Sequence, residues 1–383
     1  MEITDLIGYS LSSPYGDGSV FGQPLGVKSI GLVEVHTDAG YIGIGETYSG
    51  VYSPELISPI AEFLKSIVIG QDPFAVEDIN KSLEIPFISG NGLIRSFISA
   101  IDIALWDIMG QTLNKPISKL INEKVRNTVK VYASGGSVVM TTDEICADVE
   151  KVINQGYVAY KMRVGAQPWG KDLERVSRAR KMLGADNELM IDAIMGTLPN
   201  SWDLQTAKSR AKDLISFRPC WLEEPLPPED YLGYQKLNAE TELSIAMGES
   251  FTGLHEFKAY ISGKCANIIQ PDVTHCGGFS QAIKIIAFAK KYDIPVALHV
   301  WGSAISIMSN LHLAMAMPEV RWLEIPQVKL ELFGDEISEH LTIEKGFVSK
   351  LEKPGLGLNI CEAKKNKYPF VPGSGYQVSS IKK

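Results

Sequence analysis

Seven segments of the chain each run from apolar residues into an ionisable side chain. Residues 157–165 carry Lys161 and Arg163, 188–194 carry Asp192, 220–225 carry Glu223 and Glu224, and 243–250 carry Glu249. Asp272 closes 266–272, His299 lies in 295–300, and Glu324 in 321–326. Counted from Lys161, successive gaps are 31, 31, 26, 23, 27 and 25 residues, each the length of one strand and one helix. One ionisable residue at the end of an apolar run is common as a capped structural group. Seven in succession are hard to explain that way, because each buried charge costs free energy unless it is paired.

Asp192, Glu223 and Glu249 belong to adjacent units. Converging carboxylates repel one another unless a cation sits between them. The set offers only oxygen, which selects a hard divalent ion, with Mg²⁺ as the first choice. Strand side chains alternate, so only one of Glu223 and Glu224 can face inward. Glu223 is taken as the ligand, with Glu224 as its outer or ion-pair partner. Lys161 and Arg163 are two apart and share a face. A lysine beside a cation and a metal is expected to have a depressed pKa and to suit a general base. Arginine stays protonated and does not. Asp272 beside His299 fixes one imidazole tautomer and raises the basicity of the other nitrogen. Glu324, if held protonated, could donate to a developing enolate oxygen.

These residues need a scaffold that brings strand ends together. An eighth apolar run, 129–136, precedes the seven, and segments of helical periodicity lie between runs. Eight strand–helix units over about 200 residues match a (β/α)₈ TIM barrel, an α/β fold whose chemistry sits at the C-terminal strand ends. A doubly wound sheet is the alternative; the count of eight and the polar strand ends favour the barrel. Before residue 126 the pattern differs. Residues 3–11, 29–37 and 41–48 read as strands, the last two joined by an Asp-Ala-Gly turn, and 54–120 reads as helices. The division expected is 1–125, 126–326 and 327–383, the last segment returning toward the first.

The chain has 383 residues and a net charge of −8. That balance speaks against non-specific nucleic-acid binding, which needs a basic footprint. Five cysteines with irregular spacing form neither a disulfide framework nor a zinc site and fit a reducing cytoplasm. The first residues lack a basic and apolar leader, and no apolar run reaches membrane-spanning length.

The segments YKMR (160–163), MIDA (190–193), WLEEP (221–225), AMGES (246–250), IIQPDVTHCGGF (268–279), LHVWGS (298–303) and WLE (322–324) resemble the mandelate racemase subgroup of the enolase superfamily. GETYSG and IDIALWDIMGQTLNKPI resemble its N-terminal α+β capping domain, which the C-terminal tail would complete. By that resemblance Asp192, Glu223 and Glu249 bind Mg²⁺, His299 and Asp272 form a dyad, and Glu324 is the acid of the eighth strand. Two positions depart from the pattern: Arg163 stands where many members have a second lysine, and Ile194 where many have Asn. The resemblance implies removal of the proton α to a carboxylate. Arg163 weakens one of the two faces a racemase needs, so dehydration of an aldonate or aldarate to a 2-keto-3-deoxy acid is favoured. His299 then acts as base or acid, Lys161 as the alternative base, and Arg163 steadies the substrate carboxylate. A racemase or lactone cycloisomerase is the second reading, and a non-catalytic binding barrel a remote third. Tyr15, Asp17 and Phe21 in a Gly-rich stretch, Tyr48, Tyr52 and His275 are the candidate substrate contacts. A small carboxylate is the expected partner, and a homo-oligomer the expected assembly, as is common in the family.

Overall fold

The computed structural model describes residues 1–16, 22–23, 25–86, 88–90, 92–328, 330–332, 334, 337, 341–358 and 362–377. Asp17 and Phe21 lie outside them. Three antiparallel strands open the chain: β1 (Ile3–Pro14), β2 (Val27–Thr37) and β3 (Ile42–Thr47), ordered β1-β2-β3. The β2–β3 turn falls where Asp38-Ala39-Gly40 places it, with Gly40 at φ 83°. The apolar face of this sheet is covered by the helix Ile57–Val68 and the long buried helix Gly92–Thr112. The second helix sits directly on β3. A Cβ built on Gly43 or Gly45 would lie 2.0 Å from the Ala104 carbonyl oxygen or 1.9 Å from that of Ala100, so only glycine permits this approach.

Eight parallel strands follow: β4 (Thr128–Ser134), β5 (Ala159–Arg163), β6 (Glu188–Asp192), β7 (Leu222–Glu223), β8 (Ile245–Met247), β9 (Ile268–Ile269), β10 (Val296–Leu298) and β11 (Val320–Pro326). Each pairs with the next, and β11 pairs with β4, closing the barrel. Every strand falls on an expected segment, β4 and β11 each beginning one residue before theirs. Tyr132, Ala159, Met190, Trp221, Ala246 and Ala297 fill the interior as a plug. Strand alternation places the residues two positions further on one pleat above that plug. These are Lys161 above Ala159, Asp192 above Met190, Glu223 above Trp221 and His299 above Ala297. The apolar layer thus shields the floor from which the ionisable residues rise.

The tail divides its contacts. Strands β12 (Ile343–Glu344) and β13 (Phe347–Ser349) form a hairpin, and β13 pairs antiparallel with the start of β4. This segment joins the barrel, whereas the whole tail was expected to return to the first domain. Later residues do return. The Ser12 N–H donates to the Tyr368 carbonyl, Ser29 and Ser374 share a hydroxyl hydrogen bond, and the Tyr376 N–H reaches the Val51 carbonyl. Among the described residues no helix is long and apolar enough to cross a membrane.

Candidate active site

Oxygen atoms of Asp192, Glu223 and Glu249 all lie within 4.8 Å of one another at the top of the barrel. Asp192 ends β6, Glu223 ends β7, and Glu249 follows β8. One Glu223 oxygen accepts from the Trp221 indole at 2.8 Å and the Gln270 amide at 2.7 Å; the other faces the Lys161 ammonium at 2.5 Å. Burial, reinforced by the charge of Glu223, pushes the Asp192 carboxyl up to about 8. Glu249 is also raised, chiefly by burial. Carboxylates this close repel one another unless a cation lies between them, and their all-oxygen donors fit a hard divalent ion. Glu224 points away, buried near the Gly248 N–H, with burial holding it well above the usual carboxylate range.

Lys161 and Glu324 form an ion pair. The Lys161 ammonium lies 3.0 Å from Glu324 and 3.7 Å from Asp192 as well as touching Glu223. Burial alone would lower its pKa, but Glu223, Glu324 and Asp192 outweigh burial and hold it well above that of an ordinary lysine. Lys161 is thus the cation paired with these three carboxylates. Glu324, which would have to be protonated to donate, is pulled the opposite way. Burial raises its pKa, but Lys161, His299 and Arg163 bring it down to about 2, and its carboxylate accepts the Val300 N–H. Arg163 donates to the Gly135 carbonyl and the Ser134 hydroxyl, with Nε 3.6 Å from Asp192.

Across the cavity the His299 Nδ1–H donates to Asp272 Oδ2 at 2.9 Å. The other Asp272 oxygen accepts from the Thr274 N–H, the Thr274 hydroxyl and the Asn310 amide. These donors and His299 outweigh burial and keep Asp272 below its ordinary value. With Nδ1 engaged, Nε2 faces inward, 3.3 Å from Glu249 and 4.0 Å from Glu324. Burial pulls the imidazole down, yet those carboxylates and Asp272 carry it up to about 9. Ile194 occupies the left-handed region at φ 45°, rare for a β-branched residue, and its N–H is taken by Asp192.

A cavity of about 360 Å³ opens above these groups, lined by Arg163, Asp192, Glu249 and His299 on its inner side. Tyr15, Tyr48 and Tyr52 reach it from the N-terminal domain. His275 does not line it. The His275 ring packs edge-on against Tyr48, with centroids 5.0 Å apart, and Nε2 meets the Ser250 carbonyl, so it supports the wall in place of the substrate contact expected. Trp301 and Tyr376 complete the aromatic side and were not singled out in the sequence. Trp301 lies in the quoted LHVWGS segment, two residues after His299. Tyr376 lies in the Gly/Pro-rich tail, whose only signal was its expected return.

The family descriptions agree with this arrangement. The model of the mandelate racemase / muconate lactonizing enzyme N-terminal domain matches residues 24–122, and the Enolase C-terminal domain-like model matches residues 144–364. The chain belongs to the enolase superfamily, in its mandelate racemase / muconate lactonizing enzyme branch. It is 31% identical over 342 residues to a D-galactonate dehydratase of Pectobacterium atrosepticum, covering 86% of this chain and 88% of that protein. It is 29% identical over 373 residues to a D-galactarolactone cycloisomerase of Agrobacterium fabrum, covering 93% and 95%. The crystal structure of a 3,6-anhydro-D-galactonate cycloisomerase from Zobellia galactanivorans superposes with a TM-score of 0.84 at 28% identity, covering 96% of this chain and 99% of that one. The protein is accordingly an enolase-superfamily enzyme whose relatives act on acid sugars and their lactones.

Proposed function

We propose that the enzyme is a hydro-lyase that dehydrates an aldonate or aldarate to a 2-keto-3-deoxy acid. The observation that carries this reading is the asymmetry of the cavity. His299 offers an inward Nε2 backed by Asp272, while on the opposite side the Lys161 ammonium is ion-paired with Glu223 and Glu324 and Arg163 carries a guanidinium that stays protonated. One competent base favours elimination over two-base racemisation. Asp192, Glu223 and Glu249 would hold Mg²⁺, which when bound supplies electrostatic stabilisation of the charge that develops on the substrate carboxylate. Arg163 orients that carboxylate. His299 Nε2 takes the α-proton, with the Asp272 carboxylate bearing against the resulting imidazolium. The same nitrogen then delivers its proton to the departing 3-hydroxyl, so that water leaves and the enol ketonises. The dehydratase relatives support this reading.

The cycloisomerase relatives support a second reading with the same first proton transfer. The test is incubation with a panel of acid sugars and Mg²⁺. A 2-keto acid product is expected, and His299→Asn should lower kcat by roughly 10²–10⁴-fold. Lactone or epimer with no 2-keto acid would overturn the proposal, as would full turnover by His299→Asn.

A further inference from the structure

Lys28 on β2 is 1% exposed, and its ammonium donates to the Trp301 carbonyl at 2.6 Å. Otherwise it faces rings: the Trp301 centroid is 4.1 Å away and that of Tyr15 5.1 Å. Among the described residues no carboxylate comes within 4.0 Å of it. A buried ammonium in such a slot is costly, and a methionine of similar length would fill the same space without that cost. Burial, with the charge of Arg163 adding to it, brings its pKa down to about 7 against the pull of the more distant Glu46.

Glu46 lies on neighbouring β3, 1% exposed, and grips the same loop from its other end. Its carboxylate accepts the Ser303 N–H at 2.9 Å, the Ser303 hydroxyl at 2.5 Å and the Ser306 N–H at 3.1 Å. It thereby satisfies the first turn of the helix Ala304–Ala316. Between the two grips lies Gly302, where a Cβ would stand 2.3 Å from Glu46 and 2.4 Å from Ser306. The clamped residues are not remote from the chemistry. The Trp301 indole N–H donates to the Tyr15 hydroxyl at 3.0 Å, and its ring lines the cavity. His299 is two residues upstream of the held carbonyl.

We infer that Lys28 and Glu46 form a two-point clamp through which the N-terminal sheet positions the 299–303 loop, with Lys28 as the positioning residue that sets Trp301 and, through it, His299. Lys28 does not line the cavity, so it acts on reactants only through the loop. The catalytic part of this inference rests on the proposed role of His299; the structural part does not.

The experiment uses the full chain with Lys28→Met, Lys28→Arg and Glu46→Gln. Amide hydrogen exchange of peptides covering 299–306 needs no substrate. Lys28→Met should lose protection there while peptides from β5 to β7 keep theirs, and Lys28→Arg, which can donate to the same carbonyl, should restore it. On whichever acid sugar is turned over, Lys28→Met should lower kcat on the order of 30- to 100-fold, with KM changed by less than about threefold, and Lys28→Arg should recover most of the loss. If Lys28→Met does not fold, Glu46→Gln carries the test, because glutamine keeps one acceptor for Ser303 and should show the same split more weakly. Unchanged 299–306 exchange in the folded variants would overturn the clamp even if every acid sugar reacted. Changed exchange with no acid sugar turned over would uphold the clamp and count against the proposed reaction alone.

Discussion

The Lys161 ammonium meets three carboxylates at one point, and two of those carboxylates, Asp192 and Glu223, belong to the cluster suited to a divalent ion. The cluster therefore carries more negative charge than one lysine balances, and Asp192 is pushed toward protonation. A bound divalent ion should relieve that repulsion and stabilise the fold, by about 2.7 kcal/mol at a hundredfold excess over Kd. Thermal unfolding with Mg²⁺ and with a chelator should differ in the parent and coincide in Asp192→Asn; an equal Mg²⁺ shift in both would refute the assignment. The pairing of His299 with Asp272 was readable because both end neighbouring strands and repeat the spacing of the others. The mutual contacts of Lys161 and Glu324 were not. They depend on a contact between the second and the last barrel strand, and spacing along the chain carries no distance across a closed barrel.

The elements translate local chemistry into these positions. Strands and helices of the barrel were legible because each unit repeats the same pattern, an apolar run followed by a helical period. The clamp, and the part of the aromatic wall made by Trp301 and Tyr376, were not legible, because Lys28, Glu46, Trp301 and Tyr376 come from separate stretches that share no period. The tail hairpin was missed for a similar reason: Phe347, Val348 and Ser349 pair with the polar start of β4, a strand chosen by closure and not by composition. The contact of β3 with the helix Gly92–Thr112 gives a sharp prediction at this scale. Gly45→Ala places a methyl against the Ala100 carbonyl, closer than any real contact. Overpacking of this kind costs about 1–3 kcal/mol. Because Glu46 is the next residue, activity should fall along with stability. Denaturant unfolding indistinguishable from the parent would show that helix and strand separate freely.

At the scale of the whole molecule, one helix ties the N-terminal domain to everything else through two buried acids. Asp102 accepts from Ser280 on the barrel helix Gly278–Lys290, and Asp107 accepts the N–H groups of Ile44 on β3 and Leu356 in the tail. Burial raises Asp102 to about 6 and Asp107 to about 7, from an ordinary 3.8, against the pull of those donors. Both folded-state values exceed the unfolded one. The native protein thus holds more protons than the unfolded chain between about pH 4 and pH 7, and stability from these groups falls as pH rises through that window. Asp107→Asn should flatten the decline, whatever its effect on absolute stability. Unfolding free energies at several pH values would show it, and parallel curves for parent and variant would contradict it.

The return of the tail also orders events during synthesis. Every ionisable group of the barrel floor is translated before Tyr376, yet Tyr376 stands in the cavity wall beside Tyr52 and Trp301. A nascent chain can close its barrel and assemble its acidic cluster while the ribosome still conceals the ring that finishes the pocket. Enzyme clipped upstream of Tyr376 would keep its acidic cluster but leave the pocket wall unfinished, so the proposed Mg²⁺ binding should survive where turnover slows.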